Sequence, residues 1–265
     1  MDFALTPEQE LMQDSARRLV AREIEPLLAA HDATRSLPKA AYLTALGHFA
    51  ALGLTAARVP ESAGGAGIAM LDYGMMVEQI PPAMAIVAIA QEASISRLYA
   101  DGNDEQRARL LPDLIAGRRI FCTGSTEPDT GSDPRGVRTR LTGSGDRLRL
   151  NGRKMWISNV SACDAILATC LDARDGQPGT QVIKVVVERD RSPFEAAEID
   201  TIGLQQGLLG EARFEDTVIH PENVVIAGKG GTEVLKLSWA VNRPLFGLLA
   251  VHLAQRACDM VRRIQ

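Results

Sequence analysis

The sequence predicts an α+β chain: a bundle of helices first, an antiparallel β-domain next, and one helix at the end. Three observations carry this reading. Up to Gly117 apolar residues recur at three- and four-residue steps; beyond it the pattern becomes alternation and short β-branched runs; from about Gly231 helical spacing returns and holds to Gln265. The corresponding divisions are residues 1–117, 118–229 and 230–265.

Each element has its own local signal. Thr6-Pro7-Glu8-Gln9 has the form of a capping box with proline at the first helical position. Behind it Leu11, Met12, Ala16, Leu19, Val20, Ile24, Leu27 and Leu28 lay one apolar stripe along a helix that ends near residues 26–31. A second helix covers 39–52 and stops at Gly53; two more cover 71–79 and 83–100, separated by Pro81-Pro82. Residues 103–106 form another cap and Gly117 another stop, and several consecutive amphipathic helices with short joints make a bundle. In the second part, Arg147-Leu148-Arg149-Leu150 alternates, Asn151-Gly152 signals a hairpin, and 154–158 is the returning strand. Residues 182–187 and 212–219 read as further strands, and the turn residues between them suit an antiparallel sheet or barrel. On the last helix Leu245, Leu248, Leu249, His252 and Leu253 form a mostly apolar stripe, which needs a cover on this chain or another.

Composition narrows the function. Hydrophobic residues are 46% and charged residues 23% of 265, near the globular average, which argues against a disordered or fibrous chain. With 29 basic and 33 acidic residues the net charge is −4, so no basic surplus supports nucleic-acid binding. The apolar runs are too short to span a bilayer, which argues against a membrane protein, and the start of the chain lacks the basic-then-apolar order of a signal peptide. Cys122, Cys163, Cys170 and Cys258 form no CxxC pair; they read as reduced thiols of a cytoplasmic protein, with no metal site.

Familiar catalytic motifs are absent. Gly64-Gly65-Ala66-Gly67 sits among helices, where the dinucleotide fingerprint needs a preceding strand and a βαβ unit; it reads as an ordinary glycine loop. No HExxH, GxSxG or phosphate-loop pattern occurs, and His31, His48, His220 and His252 read as surface or packing residues. The informative stretch is Thr123-Gly124-Ser125-Thr126-Glu127-Pro128-Asp129-Thr130-Gly131-Ser132-Asp133, a crowd of hydroxyls and glycines just after a predicted strand. Small residues let backbone N–H groups approach a polar ligand, and hydroxyls donate and accept; a solvated turn is the plain alternative. Lys154-Met155-Trp156-Ile157-Ser158-Asn159 then offers a large flat ring beside a hydroxyl, where a core tryptophan is the plain alternative.

Together, in this order, these stretches resemble the acyl-CoA dehydrogenase family of flavoproteins. Thr126-Glu127-Pro128 with Gly131-Ser132-Asp133 is similar to that family's flavin loop, and residues 151–159 are similar to its hairpin under the flavin. Val59-Pro60-Glu61 with residues 64–67, Phe214-Glu215-Asp216 leading to Pro221-Glu222-Asn223, and Asn242-Arg243-Pro244 extend the resemblance over the whole chain. It implies a β-barrel middle domain, a final helix that starts a C-terminal helical domain most of which is lacking, and FAD as cofactor. It implies that Thr123, Ser125, Thr126, Gly131 and Ser132 surround the flavin, with Thr126 on the pyrimidine edge. Trp156, Ile157 and Ser158 pack on the ring, Ser158 near N5, and Ser132, Asn242 and Arg243 meet the substrate. The implied reaction is α,β-dehydrogenation of an acyl thioester carried by coenzyme A or a carrier protein, with electrons leaving to an electron-transfer flavoprotein or oxygen.

Three departures qualify the resemblance. Family members continue through further C-terminal helices, which supply part of the FAD pocket, assembly contacts and often the base. Asn242 stands where a subset of the family has its glutamate, and an amide cannot accept a proton at neutral pH. Gln205, Gly207 and Leu209 stand where an arginine and two hydroxyls are usual. No catalytic residue is therefore assigned within the chain; Glu127, Asp129 and Asp133 are read as shaping the loop. The expectation is an enzyme that needs a partner or further segment for its base, and a homo- or hetero-oligomer formed through the last helix. The rivals are a non-catalytic subunit or relic of the same fold, and a flavin monooxygenase.

Overall fold

The structure, a computed structural model, describes residues 4–131, 133, 136–225 and 231–264, with side chains of the last helix described from 240 to 262. The Thr6 hydroxyl accepts from the Gln9 backbone N–H while the Gln9 side chain reaches back to Thr6, so the expected capping box starts α1 (Pro7–Leu19). A single π-helical turn (Val20–Ile24) carries it into α2 (Glu25–Ala29). Next come α3 (Lys39–Ala51), closed by Gly53 at φ 73°, then α4 (Met70–Val77) and α5 (Pro82–Asp101). A second capping box, Asn103 with Gln106, starts α6 (Asp104–Ile115). The 64–67 glycines form a turn after the short 3-10 segment Glu61–Ala63, with no strand before them, as the rejection of a dinucleotide site requires.

The second part contains β1 (Phe121–Gly124), β2 (Arg140–Gly143), β3 (Leu148–Ser158), β4 (Ala165–Arg174), β5 (Val182–Glu188), β6 (Glu195–Glu198), β7 (Leu209–Ile219) and β8 (Val224–Val225). They form one sheet in the order β6-β7-β3-β2-β4-β5-β8, with β1 also paired to β4. This corrects the antiparallel barrel in two respects. The sheet is mixed, because β1 and β2 follow one another along the same side of β4, both parallel to it. It is also open among the described residues: its edges are four-residue β6 and two-residue β8, which offer too little ladder to close.

The Asn151-Gly152 hairpin is corrected too. These residues lie inside β3, which runs on without a turn. Opposite them β7 bulges: Leu150 pairs with Thr217 and Gly152 with Phe214, leaving Asp216 at φ 44° outside the ladder. The Asn151 side chain accepts from the Asp216 N–H at 2.8 Å and donates to its carboxylate at 3.0 Å, so the stranded donor is satisfied. Glycine is needed at 152 because a Cβ there would come within 2.7 Å of Thr139 Cα. The pair is chosen for close packing, and the turn statistics do not apply.

Helices and sheet share one core. Tyr42, Phe49, Met84 and Ile89 cluster with Cys122, Ile157 and Phe214, all fully buried or nearly so. Polar residues of α5 tie the two parts together. Gln91 donates to Leu114 and Arg119 carbonyls and accepts from the Phe121 N–H at 2.7 Å, locking α5 to the start of β1. α7 (Gly231–Ile264) contains Pro244 within a continuous helix. Its stripe divides: Leu245 and Leu249 are buried on this chain, with Leu245 and Leu248 against Gly74 of α4, whereas Leu253, Met260 and Val261 are more than half exposed. The cover expected from another chain is thus supplied internally for the first half of the stripe.

Candidate functional site

The glycine- and hydroxyl-rich stretch leaves β1 at Ser125 and returns to β2 after Thr139. Its base is fixed to the helices and the sheet: the Thr123 hydroxyl donates to Ser94 of α5 at 2.9 Å, and Ser125 meets Thr169 of β4 at 3.3 Å. At Glu127 the chain folds on itself, exchanging backbone hydrogen bonds with Thr130. Glu127 is nearly buried and its carboxylate gathers four donors: Lys154 Nζ at 2.7 Å, the Thr139 N–H at 3.0 Å, the Thr139 hydroxyl at 2.7 Å and the Arg138 N–H at 2.8 Å. Burial alone would raise this carboxyl, but the Lys154 ammonium and these hydrogen bonds outweigh it and hold it below the usual range. Burial pushes the Lys154 ammonium down from its ordinary value, with Glu127 opposing the shift.

β3 passes beside this loop, and the Met155 N–H donates to the Thr126 carbonyl at 2.9 Å. In the β3–β7 ladder Lys154 pairs with Ala212 and Ile157 with Gly210, so Met155 and Trp156 together face the single residue Glu211. This bulge shifts the alternation by one, which allows both Lys154 and Ile157 to be buried although three positions apart. Trp156 is left at φ 56° with 57% of its surface exposed. A left-handed backbone is a real outlier for a bulky residue, and an exposed indole on a fixed strand is an unusual use of tryptophan. Among the described residues, the hydroxyls of Thr126 and Ser158 have no hydrogen-bond partner. Asn159, at φ 71°, closes the strand: it is buried and donates to the Val87 carbonyl at 3.1 Å.

Of the residues expected at the site, Thr126, Trp156 and Ser158 are brought near one another through the Met155–Thr126 bond and the bulge, Thr123 and Ser125 lie at the base of the same loop, and Ile157 is buried in the core. Gly131 is exposed, and a Cβ on it would only touch the Thr126 methyl at 3.4 Å. Ser132 lies outside the described residues. The Asn242 side-chain oxygen accepts from Arg58 at 3.2 Å. Arg58 in turn forks onto Glu92 of α5, a fully buried carboxylate that also accepts from Ser96 at 2.7 Å. Arg243 is exposed. Sequence reasoning missed Arg58, Glu92 and the role of Lys154. The only available signal for Arg58 was its place just before Val59-Pro60-Glu61.

The arrangement presents an exposed indole on a strand bonded to a loop of hydroxyls and small residues. That donor set fits a planar ligand with polar edges, such as a flavin. Among the described residues no group of His, Cys, Asp and Glu could hold a metal ion, and no helix is long and apolar enough to cross a membrane.

Comparison with known proteins agrees. Residues 6–118 match the acyl-CoA dehydrogenase N-terminal domain and residues 122–217 the acyl-CoA dehydrogenase middle domain. A probable acyl-CoA dehydrogenase of Bacillus subtilis is 27% identical over 265 residues, covering 98% of this chain and 68% of that protein. A short-chain specific acyl-CoA dehydrogenase of Clostridium acetobutylicum is 28% identical over 237 residues, covering 87% of this chain and 60% of that protein. The structure of a glutaryl-CoA dehydrogenase from Mycobacterium smegmatis, in complex with FADH2, superposes with a TM-score of 0.78 at 25% identity, covering 94% of this chain and 62% of that one. The chain thus spans about two thirds of the length of these relatives. With two successive family domains matched across most of its residues, the chain belongs to the acyl-CoA dehydrogenase family.

Proposed function

We propose that this chain binds FAD against Thr126, Trp156, Ile157 and Ser158, and takes part in α,β-dehydrogenation of an acyl thioester carried by coenzyme A or a carrier protein. The observation that carries the reading is Trp156: an exposed indole held on a left-handed backbone beside a hydroxyl-rich loop. The FADH2-bound relative supports the choice of cofactor. When bound, FAD supplies the acceptor for the hydride that leaves the β-carbon. Thr123 and Ser125 hold the loop base, Thr126, Gly131 and Ser132 line the ligand, and the Trp156 ring with the Ser158 hydroxyl orients it. Asn242 and Arg243 of α7 face the substrate side. Asn242 cannot take the α-proton, so the base comes from a carboxylate outside residues 1–265, and an electron-transfer flavoprotein takes the electrons. Residues 1–117 act as a helical domain, 118–229 as a β-domain and 230–265 as the first helix of a C-terminal helical domain, which contributes to an oligomer through its exposed second half. Buried thiols at Cys122, Cys163 and Cys170, none in a disulfide, support a reducing, cytoplasmic setting.

The test is anaerobic addition of acyl-CoA and acyl-carrier-protein thioesters to the purified, FAD-loaded chain, following the flavin absorbance. Slow bleaching that accelerates when Asn242→Glu restores a carboxylate is the expected result; positioned bases contribute about 10²–10⁴-fold. Failure to retain FAD would point to a relic. Retention of FAD that only oxygen-dependent chemistry turns over would point to a monooxygenase.

A further inference from the structure

We propose that the buried Lys154–Glu127 ion pair is a positioning device that fixes the Trp156 bulge and the loop at Thr126 in their ligand-ready geometry; its consequence for FAD rests on the function proposed above. The pair is costly to bury, since Lys154 is 0% and Glu127 6% exposed. A well-packed apolar pair of similar volume often serves stability as well or better, so stability alone is a weak reason for it. What an apolar pair does not give is direction. The Glu127 carboxylate joins three separate strands of chain: the outgoing limb that carries it, the returning limb through Arg138 and Thr139, and β3 through Lys154. Lys154 reaches a second point on the outgoing limb, the Ser125 carbonyl, at 3.4 Å. The next residue, Met155, donates to the Thr126 carbonyl, and the one after is Trp156. A strained backbone of this kind persists only where its surroundings over-determine it, and these bonds fix the chain immediately before Trp156.

Gly124 shows how tightly Lys154 is seated. A Cβ at Gly124 would come within 2.8 Å of Ile166 Cδ1 and 3.3 Å of Lys154 Cγ, so the alkyl stem of the lysine runs directly across the end of β1. The stem packs, and only its tip is polar. Lys154 and Glu127 are 27 residues apart, on opposite sides of the loop, so the bond closes the loop against β3 as a clasp would.

The experiment uses the full chain in a Trp239→Phe background, which leaves Trp156 as the only one of the two tryptophans. Three variants are compared: Glu127→Gln, Lys154→Met and Lys184→Met. Lys184 of β5 forms a comparably buried ion pair with Asp101 at the end of α5, with neither Glu127 nor Lys154 as a partner, and serves as the structural control. The readouts are Trp156 emission and its quenching by acrylamide without cofactor, the thermal midpoint, and FAD dissociation by fluorescence. Glu127→Gln and Lys154→Met are expected to shift Trp156 emission and to weaken FAD binding at least about tenfold, whereas Lys184→Met lowers the midpoint and leaves both unchanged. Glu127→Gln, which keeps the side-chain shape, decides the matter where Lys154→Met does not fold. Unchanged emission in Glu127→Gln, or an equal change in Lys184→Met, would overturn the proposal. If the parent chain binds no FAD, the cofactor reading fails, and the emission comparison still decides whether the pair positions Trp156.

Discussion

Removing the Trp156 side chain separates the role of this residue in folding from its role in ligand binding. Its surface is 57% exposed. A tryptophan offers about 200 Å², so about 110 Å² is free for a ligand to cover. At about 25 cal/mol per Å² that area is worth about 1.5 kcal/mol if half is covered and about 3 kcal/mol if all of it is. Trp156→Ala should therefore weaken FAD binding about 10- to 100-fold, at one decade per 1.4 kcal/mol. The effect on folding is smaller, because the φ of 56° costs the parent chain about 1–2 kcal/mol that a glycine recovers. Trp156→Gly should lose as much FAD affinity as Trp156→Ala while being at least as stable, apart from about 0.4–1 kcal/mol of extra glycine freedom in the unfolded chain. Titration of apoprotein with FAD, alongside urea unfolding of all three proteins, measures both quantities. A folded Trp156→Ala chain whose FAD affinity lies within about threefold of the parent would refute the reasoning, since the exposed indole would then cover nothing.

Three further expectations follow from packing and charge. Leu245→Ala should cost about 2–5 kcal/mol in urea unfolding, because the residue is 2% exposed, while Leu253→Ala, 52% exposed, should stay within about 0.5 kcal/mol; equal costs would mean that α7 does not dock as described. Gly152→Ala should destabilise by about 1–3 kcal/mol through collision with the Thr139 backbone, read as a lower thermal midpoint. Glu127 and Glu188 both have folded pKa values below the ordinary glutamate value of 4.5, so below that pH the unfolded chain binds more protons than the folded one. Stability is then fully present above about pH 4.5 and lost as pH falls through the lowered values. Glu127→Gln should flatten that acid limb in a series of unfolding curves, and an unaltered slope would mean that Glu127 does not contribute.

The parts legible in the sequence are those fixed by neighbours along the chain. Thr6 with Gln9 and Asn103 with Gln106 announce their helices because a capping box is a four-residue device, and both capping boxes form. The three-part order was readable for the same reason, since helical spacing and alternation are local patterns. Asn151-Gly152 misled because its conformation answers to residues far away: Thr139 crowds the glycine, and Asp216 occupies the asparagine. The closure of the sheet depends on the lengths of β6 and β8, which no alternation pattern specifies.

At the candidate site the same division separates what was found from what was missed. Trp156 and the hydroxyls of the loop stood out as residue types, but the reason the indole faces outward is the bulge, visible only once β7 is paired with β3. Lys154 reads as one more polar residue of a strand until Glu127 is beside it. Asn242 gives the clearest instance. In sequence it marks the absence of a carboxylate; in the fold its amide oxygen receives the Arg58 guanidinium, whose charge is already met by Glu92. A carboxylate at 242 would compete with Glu92 for that guanidinium and set two like charges beside one cation. The asparagine therefore fits a chain in which Arg58 and Glu92 dock α7 onto α5, and restoring a base at 242 is expected to weaken that joint as it gains proton-accepting power.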